Sequence, residues 1–284
     1  CTSLHQRTRR HRKLISKKGY TAPFVIWIIA GTIIPILTIA YYGITDRNGA
    51  FTFENITAMF NSQHLEALAM SLLLSVVSTV VCLVLAFPMA LILRESRFGK
   101  QGFMIFVFIL PMWMNFLLRT MAWQVLLERQ GVINSVLTSI GLNRQEMMGT
   151  PGAVVLGMVY DFLPFMVLPI YNVVSKIDNR LIEAAYDLGA GKFYVFRRVI
   201  FPLSIPGIAS GVTMVFIPAL TTFVISNMLG GGKVNLIGNI IEQEFTVNSN
   251  WYLGSGLSLV MMVFIIVSML IVQKFGGGEE DHLL

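Results

Sequence analysis

Long apolar runs, each about the length of a membrane-crossing helix and separated by short polar stretches, limit this chain to few folds. The hydrocarbon core of a bilayer is about 30 Å thick and takes roughly 20 mainly apolar residues to cross as a helix. Runs of that kind lie near Phe24–Tyr42, Leu68–Leu93, Phe103–Leu127, Ala153–Val174, Gly207–Leu229 and Leu253–Val272. With 55% hydrophobic and 13% charged residues, the composition also lies outside the range usual for soluble domains. A transmembrane β-barrel would need segments of about ten residues alternating apolar and polar. The runs here, such as Leu72–Leu85, are apolar on all sides. The expected fold class is therefore an all-α integral membrane protein with six transmembrane helices. A basic head (1–22) precedes a membrane domain (23–275), and a polar tail (276–284) follows it. The tail has the look of an expression scar, and Cys1 stands where a Met would open a gene product. Phe24–Tyr42 is long enough to span and has five runs behind it, so it reads as a retained helix rather than a signal peptide.

The net charge of +6 invites a nucleic-acid reading, which the location of the basic residues argues against. With the amino terminus inside, sixteen basic residues fall on the cytoplasmic side: the cluster from Arg7 to Lys18, Arg94, Arg97, Lys100, Lys176, Arg180, Lys192, Arg197, Arg198 and Lys274. Five fall on or near the outer side: Arg47, Arg119, Arg129, Arg144 and Lys233. Basic residues in short loops stay in the cytoplasm, so both termini are expected inside. The basic head then acts as a topology signal that contacts anionic lipid, with no nucleic-acid partner. Two outer stretches, Gly131–Thr150 and Gly230–Trp251, carry helical apolar stripes too short to cross. The second is expected to dip toward a pathway.

The longest cytoplasmic connection, 175–206, reads as two short amphipathic helices. Leu181, Ile182, Ala185 and Leu188 recur at helical spacing beside Asp178, Glu183 and Asp187; Phe193, Phe196, Val199 and Ile200 do so beyond Gly189 and Gly191. Gly189 suits a helix end, because it takes a left-handed backbone at no Cβ cost. Glu183 and Asp187 are expected to favour the first turn of the first helix electrostatically. Pro202 and Pro206 are expected to stop the second helix from continuing into the fifth span. Gly189-Ala190-Gly191-Lys192 is no phosphate-binding loop: Tyr186 stands where a Gly is needed, and Phe193 where a Ser or Thr is.

Glu183-Ala184-Ala185, then Gly189, then Val199-Ile200-Phe201-Pro202 resembles the EAA loop of binding-protein-dependent ABC transporter permeases, with Val199 and Phe201 in place of Ile and Leu. The resemblance implies a MetI-like permease fold and a coupling helix that docks in a groove of an ATPase subunit. Glu183, Ala184, Ala185, Asp187, Gly189 and Pro202 are then the coupling residues, with Ala184 and Ala185 small enough for close approach. Leu110 to Arg119, Gly157 to Tyr160, Leu163 to Val167 and Asn235 to Ile241 are similar to the first of the two permease subunits of spermidine/putrescine importers. That similarity implies a second permease subunit, two ATPase subunits and an extracytoplasmic polyamine-binding protein, in a bacterial cytoplasmic membrane. It also implies a non-catalytic chain that binds no cofactor, with ATP and Mg used by the partner ATPase.

A polyamine pathway should offer carboxylates, carbonyls and aromatic faces. The candidates are Trp113, Asn115, Arg119 and Trp123 on the third span, Tyr160 and Asp161 on the fourth, and Asn227 near the end of the fifth. Asn115, Arg119 and Trp123 are four apart and expected on one helix face. Arg119 and Asp161 lie at similar depth and are expected to pair, with a direct cargo contact by Asp161 as the alternative. Pro218 can kink the fifth span and free carbonyls, and Glu242 and Glu244 are further carboxylates within reach of a cation. Alternatives are a permease for another small solute or a secondary transporter, but the chain shows no convincing internal repeat. A membrane enzyme finds no support: His5, His11, His64 and His282 are scattered, no metal spacing occurs, and Cys82 reads as a small packing residue.

Overall fold

The computed structural model describes residues 23–95 and 110–275. Within them the chain is helical, and its β-structure is one isolated bridge between Thr45 and Phe51. Five helices are long and apolar enough to cross a membrane. They are α1 (Pro23–Gly43), α2 (Ser62–Glu95), α5 (Pro151–Val174), α7 (Lys192–Thr221) and α10 (Trp251–Phe275). Shorter helices join them: α3 (Phe116–Leu127), α4 (Val132–Ser139), α6 (Asn179–Asp187), α8 (Val224–Leu229) and α9 (Ile237–Thr246). The basic head, Arg97, Lys100, the first part of the expected third span (103–109) and the tail lie outside the described residues.

Helices α2, α5 and α7 form the centre, and small residues set how closely they approach. Ser204, Gly207, Gly211 and Val215 are buried along one face of α7. A Cβ on Gly207 would come within 2.9 Å of the Pro169 carbonyl oxygen, and one on Gly211 within 2.7 Å of the Met166 sulfur, both on α5. This Gly-x-x-x-Gly pair lets two backbones meet where lipid offers no hydrophobic drive for helices to associate. On α2, Ser71, Ser75, Ser78, Cys82, Ala86 and Ala90 are buried along one face. Ser75 and Thr79 donate to the carbonyls four residues back, at 2.6 and 2.7 Å, so their hydroxyls cost nothing in the interior. Toward the end of the bundle nearest α6, packing joins Phe87 and Leu93 of α2 to Met166, Val167 and Ile170 of α5 and Val215 of α7. Toward the other end, Leu74, Val154, Met158 and Ala219 pack with Ile225 and Leu229 of α8. Helix α1 buries only Gly43, where it packs on α10; its remaining surface suits lipid.

Two expected spans differ. Within its described part, the third is a 3₁₀ turn at Leu110–Trp113 followed by α3, whose 12 residues reach about 18 Å. Asn115 is the N-cap of α3, with its side chain accepting from Leu117 N–H at 2.9 Å, so it precedes the helix rather than sharing a face with Arg119 and Trp123. The fifth, expected as one helix to Leu229, ends at Thr221, three residues beyond Pro218, and restarts as α8 after Phe223.

The expected stop at Pro202 and Pro206 is also overturned, because α7 runs through both prolines. A π-turn at Phe196–Ile200 accounts for Pro202, while Pro206 lies inside the helix: Phe201 N–H bonds to Phe196 O, five residues back, and resets the ladder. Pro202 then falls in the first turn of the next α-segment, where a missing N–H is tolerated. Helix α1 uses the same device, with a π-turn at Ile29–Ile33 placed before Pro35.

Candidate functional site

Helix α6 stands outside the helical centre, between the end of α5 and the start of α7. Asp178 caps it, its carboxylate accepting from Arg180 N–H at 2.9 Å. No acid lies in the first turn of α6, and Asp187 is its last residue, where the helix dipole disfavours an anion. The expected electrostatic role of Glu183 and Asp187 at the amino-terminal turn thus belongs to Asp178. The helix ends in a Schellman motif: Ala190 N–H bonds to Ala185 O at 3.1 Å and Gly189 N–H to Tyr186 O at 2.8 Å. Gly189 has φ +82°, as that motif requires.

Helix α6 shows solvent an apolar stripe. Leu181, Ala184 and Leu188 are exposed, Leu188 to 89%, and Phe193 and Tyr194 extend the patch at the base of α7. An apolar stripe on an exposed helix outside the helical centre suits contact with another surface. From behind, Arg94 at the end of α2 holds the loop by donating to Ile177 O at 3.0 Å and Asn179 Oδ1 at 2.8 Å. In sequence Arg94 stands out only as a basic residue, and its place in the last turn of α2, before a polar loop, is the signal for this second role. A cavity of about 560 Å³ lies behind the loop, lined by Arg94, Tyr171, Asp178, Ile182, Glu183 and Tyr186 among others.

Within the membrane part, Arg119 of α3 and Asp161 of α5 meet, as their depths suggested. Arg119 Nη2 lies 3.3 Å from Asp161 Oδ1, with side chains 7% and 3% exposed. Thr120 Oγ1 donates to Asp161 Oδ2 at 3.2 Å. The guanidinium carbon lies 6.0 Å from the centre of the Tyr160 ring, and Trp123 packs edge-on against Tyr160 at 5.5 Å. Four of the candidates therefore form one cluster. Trp113 is not part of it: it lies on the 3₁₀ turn and is 74% exposed. Asn115 serves as the α3 cap.

Asn227 belongs to a different arrangement, centred on a residue the sequence reading had quoted without assigning a role. Buried Asn239 accepts from Ser226 Oγ at 2.6 Å and from Leu236 N–H at 2.9 Å, and donates to Phe223 O at 3.1 Å and to Asn227 Oδ1. Ile237 N–H donates to Ser71 Oγ at 2.8 Å, tying α9 to α2. A Cβ on Gly238 would come within 2.9 Å of Thr221 O and 3.0 Å of Thr222 O, so α9 sits directly on the carbonyls at the break. In this stretch Ile237, Gly238, Asn239 and Ile240 are buried against the bundle. Beside it is a cavity of about 470 Å³ lined by Phe223, Ile241, Phe245, Met261 and Met262, with Glu242 as its one charged lining residue. Glu242 and Glu244 accept from Thr246 and Asn248, one turn on.

Comparison with known proteins agrees with this architecture. The family described as "Binding-protein-dependent transport system inner membrane component" matches residues 75–276. The spermidine/putrescine transport system permease protein PotB of Haemophilus influenzae is 37% identical over 245 residues, covering 84% of this chain and 86% of that protein. Its namesake in Escherichia coli K12 is 34% identical over 253 residues, covering 86% and 92%. Among solved structures, a bacterial ABC transporter involved in the import of the acidic polysaccharide alginate superposes with a TM-score of 0.79 at 18% identity, covering 96% of this chain and 98% of that one. Its identity is low, so this likeness speaks to the fold alone. On the family match and on relatives of this identity and coverage, the chain belongs to the inner-membrane permease components of binding-protein-dependent ABC transport systems.

Proposed function

We propose that this chain is one of two permease subunits of an ATP-driven importer that carries spermidine and putrescine into the cytoplasm of a bacterium. Two ATPase subunits hydrolyse the ATP, with Mg, and an extracytoplasmic polyamine-binding protein delivers the cargo. The chain itself is non-catalytic and lies in the cytoplasmic membrane, with six spans and both termini inside.

The observation that carries the reading is α6, a capped helix that holds an exposed apolar stripe away from the helical centre and passes through Gly189 into a membrane helix without a proline break. A connector resting on lipid has no need of that join, whereas a part that receives force does. Glu183, Ala184, Ala185, Asp187, Gly189 and Pro202 are its coupling residues, with Asp178 and Arg94 holding it in place. Arg94 places the end of α2 and the α6 loop at one face of the bundle, consistent with the cytoplasmic side assigned from charge. The polyamine cargo is supported by the names of the relatives at 37% and 34% identity. It is also supported by the chemistry of the Asp161, Tyr160 and Trp123 cluster, a carboxylate beside aromatic faces. We place the cargo route along that cluster and past Asn227, with Trp113 and Asn115 at its edge.

The test is uptake of labelled spermidine and putrescine in cells lacking this subunit, with and without the chain restored, together with co-purification of the ATPase. Restored uptake that requires the ATPase is the expected result. Uptake that persists with no ATPase present would point to a secondary transporter, and restored uptake of a different solute to another cargo in the same class of importer.

A further inference from the structure

The Arg119–Asp161 pair is not built like a permanent brace. Arginine–carboxylate pairs are frequently two-pronged, with N⁺–H···O⁻ distances of about 2.7–2.9 Å. Here one contact is made, at 3.3 Å. Arg119 Nε and Nη1 have no hydrogen-bond partner among the described residues, although the side chain is 7% exposed. Tyr160, whose ring lies 6.0 Å from the guanidinium carbon, is 40% exposed. The guanidinium meets the Asp161 carboxylate and the Tyr160 ring, with Trp123 packed on Tyr160 and the Thr120 hydroxyl on Asp161. That set would serve an alkylammonium group equally well, because an ammonium seeks a carboxylate and the face of an aromatic ring. A bare carboxylate at this depth is costly, and a cation beside it offsets that cost.

We propose that Arg119 is a tethered stand-in for the cargo: between transport events it fills the cation position on Asp161 that an ammonium group of the passing polyamine takes over. The inference rests on the polyamine reading above. Its loose single contact lets the guanidinium be displaced, and its return helps to expel the cargo. Arg119 therefore keeps the position from holding the cargo too tightly to release it.

The test uses the complete transporter in lipid vesicles, with ATP supplied on the ATPase side and labelled spermidine delivered by the binding protein. Asp161→Asn removes a charge-assisted contact and raises KM about tenfold. Arg119→Gln leaves the carboxylate without its competitor, so KM and the maximal rate both fall. Either single variant leaves one charge unpaired and can impair assembly. The double variant Arg119→Gln/Asp161→Asn removes both charges at once and so avoids the uncompensated buried charge that either single variant leaves. It should assemble with unchanged thermal stability and yet show KM raised about tenfold, as does Asp161→Asn. A double variant with the KM and maximal rate of the parent shows the pair to be a brace and overturns the proposal. If the parent transporter takes up no polyamine under the same conditions, the functional reading itself fails, and this inference with it.

Discussion

Two glycines in the α6–α7 turn allow backbone conformation to be separated from contact. Neither Gly189 nor Gly191 would bring a Cβ within 4 Å of another residue. They differ in backbone: Gly189 has φ +82°, and Gly191, the residue before α7, has φ −74°. An L-residue in the left-handed region costs about 1–2 kcal/mol, and Gly191 is already where any residue is content. For Gly189→Ala we expect the end of α6 to fray at a cost of about 1 kcal/mol, which is roughly a fivefold loss of any affinity that needs the helix intact. Gly189→Asn should recover about half of that loss, since Asn is the next most frequent residue at this cap. Gly191→Ala keeps an ordinary φ and loses only the preference of an N-cap for glycine over alanine, so it should stay within about threefold of the parent. The assay is titration of purified ATPase onto the permease assembly in detergent, with ATP-driven uptake as a second readout. If Gly191→Ala weakens binding as much as Gly189→Ala, or if Asn at 189 is worse than Ala, the backbone argument is refuted. The glycines would then matter because the partner touches them.

Other perturbations test other parts of the structure. Gly207→Ala places a Cβ 2.9 Å from the Pro169 carbonyl, a backbone atom that no rotamer change can move. Its overpacking cost of about 1–3 kcal/mol should outweigh a helix-propensity gain of up to about 1 kcal/mol, and so lower the thermal unfolding temperature. Asn239→Ala strands the Leu236 N–H, and unsatisfied groups cost about 1–3 kcal/mol each. Proteolysis between α8 and α9 should accelerate. Arg94→Ala removes two bonds to the α6 loop and should weaken ATPase co-purification about tenfold, with unfolding temperature little changed.

Hydropathy located most of the membrane helices, since burial in lipid is what it measures. It did not locate their ends. Helix α2 begins at Ser62, six residues before the apolar run at Leu68, because Gln63, His64 and Glu66 leave the helix intact while interrupting its hydropathy. The fifth span read as unbroken to Leu229 because Thr222 and Phe223 are as lipid-compatible as a helix needs, and only tertiary contact with Gly238 reveals the break. Pro202 was misjudged because the rule for prolines assumes an unbroken α ladder, which the π-turn before it shifts by one residue. The Arg119–Asp161 pair was legible because opposite charges at one depth in an apolar medium have few other partners. Asn239 was not, since a single amide in an apolar run gives no sign of the four groups it will bond.

Because α7 passes through Pro202 unbroken, it behaves as a lever. Its 30 residues span about 45 Å, so a tilt of about 5° at the α6 end would carry the far end through about 4 Å. That far end is Thr221, whose carbonyl lies so close to Gly238 of α9 that a Cβ there would stand 2.9 Å from it. On the orientation proposed above, a rotation received at the α6 end therefore reaches α9 at the other end of α7.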